Sequence, residues 1–240
     1  WSDFTFERPE ELTQRPRKEP RRYQREAIDD VVAGFETKDR GRLIMACGTG
    51  KTFTSLKLVE RMVPVGGSVL FLVPSIALLQ QTLNEWTANA DVPLRPFALC
   101  SDASVGRRRA SEDIAASDLG FPASTDPAKL AARAAVSTGD EAVTVVFSTY
   151  QSIDVVRQAQ DLGLAEFDLV ICDEAHRTTG VTEQGQDGSV FTMVHDAAKI
   201  RAAKRLYMTA TPRIYVQEAK AKAAQDQVTV YSMDDESIYG

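Results

Sequence analysis

Two short segments carry residues that could act together on a phosphate. Residues 46–52 read Ala-Cys-Gly-Thr-Gly-Lys-Thr. Gly48 and Gly50, with Thr49 between them, let backbone N–H groups approach an anion closely. Lys51 offers a cation to the β- and γ-phosphates, and Thr52 a hydroxyl to Mg²⁺. The strict phosphate-loop pattern wants Gly at position 45, where this chain has Met45. Read alone, the segment also suits a glycine-rich turn with an exposed Lys. Its place after a strand-like run and before a helical one favours phosphate. The second segment, Asp173-Glu174-Ala175-His176, follows the apolar run Phe167–Cys172. An acid at the end of a strand can hold Mg²⁺ through water, and the acid beside it can orient or deprotonate an attacking water. Alone, two such acids also serve as a helix N-cap. Metal-assisted phosphoryl chemistry needs both a phosphate cradle and a carboxylate, and the chain has each.

These residues need a scaffold, and the hydrophobic pattern supplies one. Strand-like runs are expected at 42–46, Ser68–Val73, Leu94–Leu99, 143–148, Phe167–Cys172 and 205–209. Several are apolar almost throughout, as strands covered on both faces should be. Helical periods lie between them, at Lys51–Met62, 76–88, 150–160 and 191–199. An earlier helix carries Tyr23, Ala27, Ile28, Val31, Val32 and Phe35 on one face, and Gly41 is expected to break the chain after it. Alternation of this kind predicts an α/β fold with a mostly parallel sheet and helices on both faces. Ligands of such folds sit beyond the carboxyl ends of the strands. Both phosphate-directed segments fall there. Residues 1–22 form a basic arm, with six basic residues and one acid between Arg15 and Arg25. Residues 101–142 interrupt the pattern as an insertion, with a helix expected at 127–136. After Pro212 a helix, a possible strand Val228–Tyr231 and an acidic end are expected.

Composition bounds the function classes. The chain has 240 residues, 43% of them hydrophobic and 26% charged, with a net charge of −6. That suits a globular protein and excludes a disordered one. No apolar stretch approaches the ~18 residues of a membrane span. Cys47, Cys100 and Cys172 are too few and too scattered for a disulfide frame or a zinc site. The expectation is a soluble, reduced, cytoplasmic protein without a membrane partner. The acidic total does not exclude local phosphate contacts, which need only a patch.

Across residues 22–212 the ordered segments resemble superfamily 2 helicases and translocases of the DEAH-box type. Arg22-Tyr23-Gln24 resembles the Q motif, whose Gln reads adenine. Residues 46–52 resemble motif I. Leu72-Val73-Pro74-Ser75, with Leu78 and Gln80, resembles motif Ia. Residues 147–152 resemble motif Ib, residues 173–177 motif II, and Met208-Thr209-Ala210-Thr211-Pro212 motif III. The wording Asp-Glu-Ala-His-Arg-Thr and Met-Thr-Ala-Thr-Pro is closest to the motor subunits of type I and type ISP restriction–modification enzymes. The resemblance implies a RecA-like P-loop NTPase lobe at 23–212 that uses ATP and Mg²⁺. Tyr23, Gln24, Gly48, Thr49, Gly50, Lys51 and Thr52 would bind nucleotide. Lys51, Asp173 and Glu174 would be catalytic, with Thr52 and Asp173 at the metal. His176, Thr209 and Thr211 would couple nucleotide state to DNA. Pro74, Ser75, Gln80, Thr149 and Gln151 would meet the nucleic-acid backbone. The implied partners are duplex DNA, a second RecA-like lobe, and nuclease, methyltransferase or specificity modules.

The superfamily keeps its arginine fingers on that second lobe, for which residues 213–240 leave no room. The expectation is therefore a first lobe, nearly inactive alone. Three rivals stand beside this reading: an RNA helicase lobe, a small-molecule kinase sharing the phosphate loop, and a nucleotide-binding module without catalysis. For Ser75, Gln80, Thr149 and Gln151, capping of the following helices weighs equally with backbone contact. His195 belongs to no motif and is expected at the surface or in packing, and Trp86 likewise.

Overall fold

The computed structural model describes residues 18–100, 125–135, 142–183, 190–217 and 228–240. The expected arm up to residue 17, most of the expected insertion and the helix expected after Pro212 lie outside them. Five main helices, α1 (Arg22–Gly34), α2 (Lys51–Met62), α3 (Ile76–Asn89), α4 (Pro127–Ala135) and α5 (Ile153–Asp161), flank a sheet. Its strands are β1 (Arg40–Ile44), β2 (Ser68–Val73), β3 (Leu94–Leu99), β4 (Val143–Thr149), β5 (Phe167–Cys172) and β7 (Ala202–Thr209). They lie in the order β1-β7-β5-β2-β4-β3, and every pairing is parallel. Two further strands, β6 (Gly180–Glu183) and β8 (Val228–Tyr231), pair antiparallel apart from it.

The near-continuous apolar runs now have a cause. Side chains alternate across a strand, and here both faces are covered. Val69, Phe71 and Val73 of β2 join a core with Ile28, Leu56, Leu79 and Trp86 from α1, α2 and α3. Leu70 and Leu72 face the opposite way, into a core with Leu130, Ile153 and Val156 from α4 and α5. Trp86 anchors the first core. It is fully buried, meets Phe71 edge-on at 5.2 Å and Phe147 at 5.5 Å, and donates its indole N–H to the Thr52 carbonyl at 3.0 Å. One side chain thus ties α3 to the first turn of the helix after the phosphate loop.

Several expectations shift. β1 begins two residues early and ends at Ile44, because its ladder with β7 starts at Arg40 opposite Arg205. Gly41 does not break the chain; it lies within that strand, and a Cβ there would stand 3.5 Å from the buried Phe35 ring. Residues 150–160 are not one helix but a 3₁₀ turn, Tyr150–Ser152, followed by α5. The helix expected at 191–199 is replaced by the 3₁₀ turn Met193–His195. The carbonyls of that region serve the buried Arg205 and the half-buried Arg40 instead of helical N–H groups. Val194 and Ile200 accept from Arg205, and His195 from Arg40.

Trp86→Ala is expected to cost about 3–5 kcal/mol, the range for truncating a buried large aromatic. Urea denaturation measures it, and a loss below about 1 kcal/mol would contradict the anchoring role.

Candidate active site

Parallel register brings the strand ends together. Ile44 pairs with Thr209, Cys172 with Tyr207, Leu72 with Cys172, and Val73 with Thr149. The phosphate loop, the Thr209 segment, the Asp173 segment and the turns after β2 and β4 therefore all open on one edge of the sheet. The sequence motifs are contiguous in space.

The loop has the geometry of an anion cradle. Gly48 and Gly50 have φ of 76° and 83°, the left-handed region where a Cβ is penalised. At Gly50 a Cβ would also stand 2.7 Å from the Gln24 amide nitrogen. The Thr49 hydroxyl donates to the Ala46 carbonyl at 2.7 Å and closes the turn. Gly50 caps α2 without a side-chain bond, and the first turn of α2 holds no acid, so its N–H groups face the loop uncompensated. Lys51 Nζ rests 3.4 Å from the Met45 carbonyl, a long contact that phosphate oxygens would outcompete. Gln24 is buried; it donates to the Thr49 carbonyl at 3.0 Å and accepts from the Arg21 N–H at 2.8 Å. The exposed Tyr23 donates to the same Thr49 carbonyl at 3.0 Å. Both residues at the start of α1 thus brace the loop from behind.

Asp173 is 7% exposed. Burial pushes its carboxyl up to about 6, against the pull of the Glu174 N–H and the Lys51 ammonium; the Glu174 charge adds to the rise. A carboxylate so placed gains from a cation. The donors near the loop are hard oxygens, Asp173 and the Thr52 hydroxyl, and among the described residues no group of three or more His, Cys, Asp or Glu is arranged to hold a metal by itself. That set fits Mg²⁺, which takes one or two carboxylates and completes its shell with phosphate and water.

Glu174 has φ 49°, the single positive value outside glycine among the described residues. Its Oε2 lies 3.4 Å from His176 Nδ1, which in turn is 3.1 Å from the Thr209 hydroxyl. The Thr211 N–H donates to that hydroxyl at 3.1 Å. The three coupling candidates, His176, Thr209 and Thr211, form one hydrogen-bonded chain, and the Glu174 carboxylate lies beside its His176 end.

The nucleic-acid candidates divide. The Ser75 hydroxyl is exposed and accepts the Leu78 N–H at 3.3 Å, so it caps α3. Pro74 and Thr149 are buried, Thr149 bonding the Ser152 hydroxyl at 3.2 Å. Gln80 is half-buried and Gln151 exposed. Two features went unread in the sequence. Tyr150 reaches the Asp173 carbonyl, and His195, expected at the surface or in packing, is buried in a polar network. Its imidazole stacks on Tyr231 at 4.9 Å and bonds the Tyr207 hydroxyl at 3.1 Å and the Thr178 carbonyl at 3.0 Å. A lone His without ligand spacing offered no signal for that network.

A parallel sheet with the phosphate loop and the acid pair at its carboxyl edge defines a RecA-like nucleotide-binding lobe of the helicase class. Residues 17–214 match the family described as type III restriction enzyme, res subunit, and the chain belongs to that family. The DNA-bound structure of the ATP-dependent type ISP restriction–modification enzyme LlaBIII is 43% identical with a TM-score of 0.77; the match covers all of this chain and 16% of that one. The probable helicase A859L of African swine fever virus is 29% identical over 195 residues, 81% of this chain and 20% of the viral protein. The type I restriction enzyme EcoAI endonuclease subunit of Escherichia coli is 27% identical over 225 residues, 91% of this chain and 22% of that subunit. The chain thus spans about a fifth of the length of these curated relatives.

The buried His195 makes a pH prediction. Burial, with the Arg40 and Arg205 charges, holds its imidazole down at about 4, against the Thr178 carbonyl bond that favours the cation. Between about pH 6.5 and 4 the unfolded chain binds a proton there that the folded chain refuses, so stability falls with pH by roughly 2–3 kcal/mol. Asp173, with its raised carboxyl, works in the opposite sense. Denaturation of the wild type and of His195→Gln at pH 7.5 and 4.5 separates the two. The wild type should lose more stability on acidification; equal losses would contradict the buried neutral imidazole.

Proposed function

We propose that this chain is the ATP-binding lobe of a DNA translocase in a restriction–modification enzyme. A second RecA-like lobe would complete it, alongside nuclease, methyltransferase or specificity modules. The observation that carries the reading is the meeting of the Lys51 loop, the Asp173–Glu174 pair and the His176–Thr209–Thr211 chain at one sheet edge. ATP and DNA are both named for LlaBIII, the relative matched over the whole chain.

In this reading the loop N–H groups and Lys51 hold the β- and γ-phosphates, and Tyr23 and Gln24 meet the adenine. Thr52 and Asp173 would hold Mg²⁺. The ion, when bound, neutralises charge on the phosphates. Glu174 takes the proton of the attacking water. His176, Thr209 and Thr211 report the state of the site to the segments that meet DNA. Those segments present Ser75, Gln80 and Gln151 to phosphate oxygens, with the buried Pro74 and Thr149 shaping the turns, which positions the duplex without reading its sequence. The lobe alone turns ATP over slowly, because a second lobe supplies the arginines that stabilise the transferring phosphate. Among the described residues no helix is long and apolar enough to cross a membrane, and the proposed setting is the cytoplasm.

Two substitutions split binding from chemistry. Lys51→Ala should weaken Mg·ATP binding about 10- to 100-fold, as the loss of a charge-assisted bond predicts. Glu174→Gln in the two-lobe enzyme should bind ATP as the wild type does and lose about 10²–10⁴ in turnover, the usual share of a general base. Calorimetry and steady-state hydrolysis read the two effects. Turnover near wild type in Glu174→Gln would remove it as the base.

A further inference from the structure

Tyr150 lies in the turn after β4, between Thr149 and Gln151, with its side chain fully buried. Its hydroxyl donates to the Asp173 carbonyl oxygen at 2.9 Å. That carbonyl belongs to the peptide joining Asp173 to Glu174. The N–H of the same peptide donates to Asp173 Oδ1 at 2.9 Å. Both polar groups of this one peptide are therefore held, and its orientation sets ψ of Asp173 and φ of Glu174. The φ so fixed is the 49° of Glu174, a conformation that L-residues keep only where neighbours impose it. A small rotation of the peptide would swing the Glu174 carboxylate away from its place beside His176.

The contact also joins two turns that the ladder does not. In the sheet order β2 stands between β5 and β4, so no strand pairing links the turn after β4 to the turn after β5. Tyr150 crosses that gap beneath the surface, and Phe191 packs against its ring with centroids 5.3 Å apart.

We propose that Tyr150 is a positioning residue for hydrolysis. Its hydroxyl holds the Asp173–Glu174 peptide in the orientation that aims the Glu174 carboxylate, and ties that peptide to the turn bearing Thr149 and Gln151. The inference rests on the assignment of Glu174 as the base. Displacement of the turn by a bound nucleic-acid backbone passes directly to the acid pair.

Tyr150→Phe removes the hydroxyl alone. In the two-lobe enzyme at saturating duplex DNA, kcat should fall at least about 10-fold, since an ångström of misplacement can cost ~10²-fold, while KM for ATP and half-saturation by DNA stay within about twofold. Phe191→Leu loosens the same ring but keeps the hydroxyl. It should lower Tm at least as far while kcat stays near wild type. Wild-type kcat in Tyr150→Phe would overturn the proposal, as would a parallel loss of kcat in Phe191→Leu. Failure of Tyr150→Phe to fold, with Phe191→Leu folded, would assign the hydroxyl to stability and overturn it equally. Glu174→Gln measured alongside tests the underlying assignment separately: if it stays active, the base is misassigned.

Discussion

All six strands of the main sheet run the same way, and the rest of the molecule answers to that constraint. Parallel neighbours cannot be joined by tight turns, so each connection crosses a face of the sheet, most often as a helix. Both faces must then be apolar, which the two cores on either side of β2 satisfy. Every strand also ends on the same edge. Segments far apart in the chain, at 46–52, 173–176 and 209–212, become neighbours without any long-range contact having to be built for the purpose. The glycines of the loop and the left-handed Glu174 are local departures from regular geometry at that same edge.

Charge burial is the second organising force. Asp173 keeps its carboxyl almost out of water, a cost that a bound cation would offset. On the far side of β7, Arg205 is 1% exposed and gives its guanidinium to the carbonyls of Val194, Ala202 and Ile200. Arg40 bridges the His195 carbonyl, the Tyr207 hydroxyl and the Ile238 carbonyl. These bonds fasten the segment at 193–200 and the short helix Glu236–Tyr239 to the sheet. The Thr178 hydroxyl, two residues past His176, joins the same network through the Tyr239 hydroxyl at 3.1 Å. The turn that carries the acid pair is thus held from behind as well as from the strand.

The sequence was most legible where physics is local. Apolar runs placed the six parallel strands, and the two segments at 46–52 and 173–176 that suggested phosphate chemistry fall at the ends of strands on one edge of that sheet. Spacing alone could not show that His176 and Thr209, far apart in the chain, share a hydrogen bond, though the resemblance grouped them in one role. Reading failed where tertiary contacts overrode local preference. The helical period at 191–199 yielded to the carbonyl demand of Arg205 and Arg40. Gly41, a breaker by type, lies within a strand because its pairing with Leu206 of β7 holds it in the ladder. His195 and Tyr150 carried no local signal, since their partners come from β7 and from the turns after β5.

ATP and nucleic acid meet on this account at one sheet edge, and a motor requires each to sense the other. The Ser75 and Thr149 hydroxyls already serve the turns they sit in, and the turn bearing Thr149 is tied through Tyr150 to the Asp173–Glu174 peptide. The most direct test is steady-state ATP hydrolysis by the two-lobe enzyme titrated with duplex DNA and, separately, with RNA. The account predicts that duplex DNA raises kcat and RNA does not. Hydrolysis indifferent to DNA, or raised equally by RNA, would contradict it.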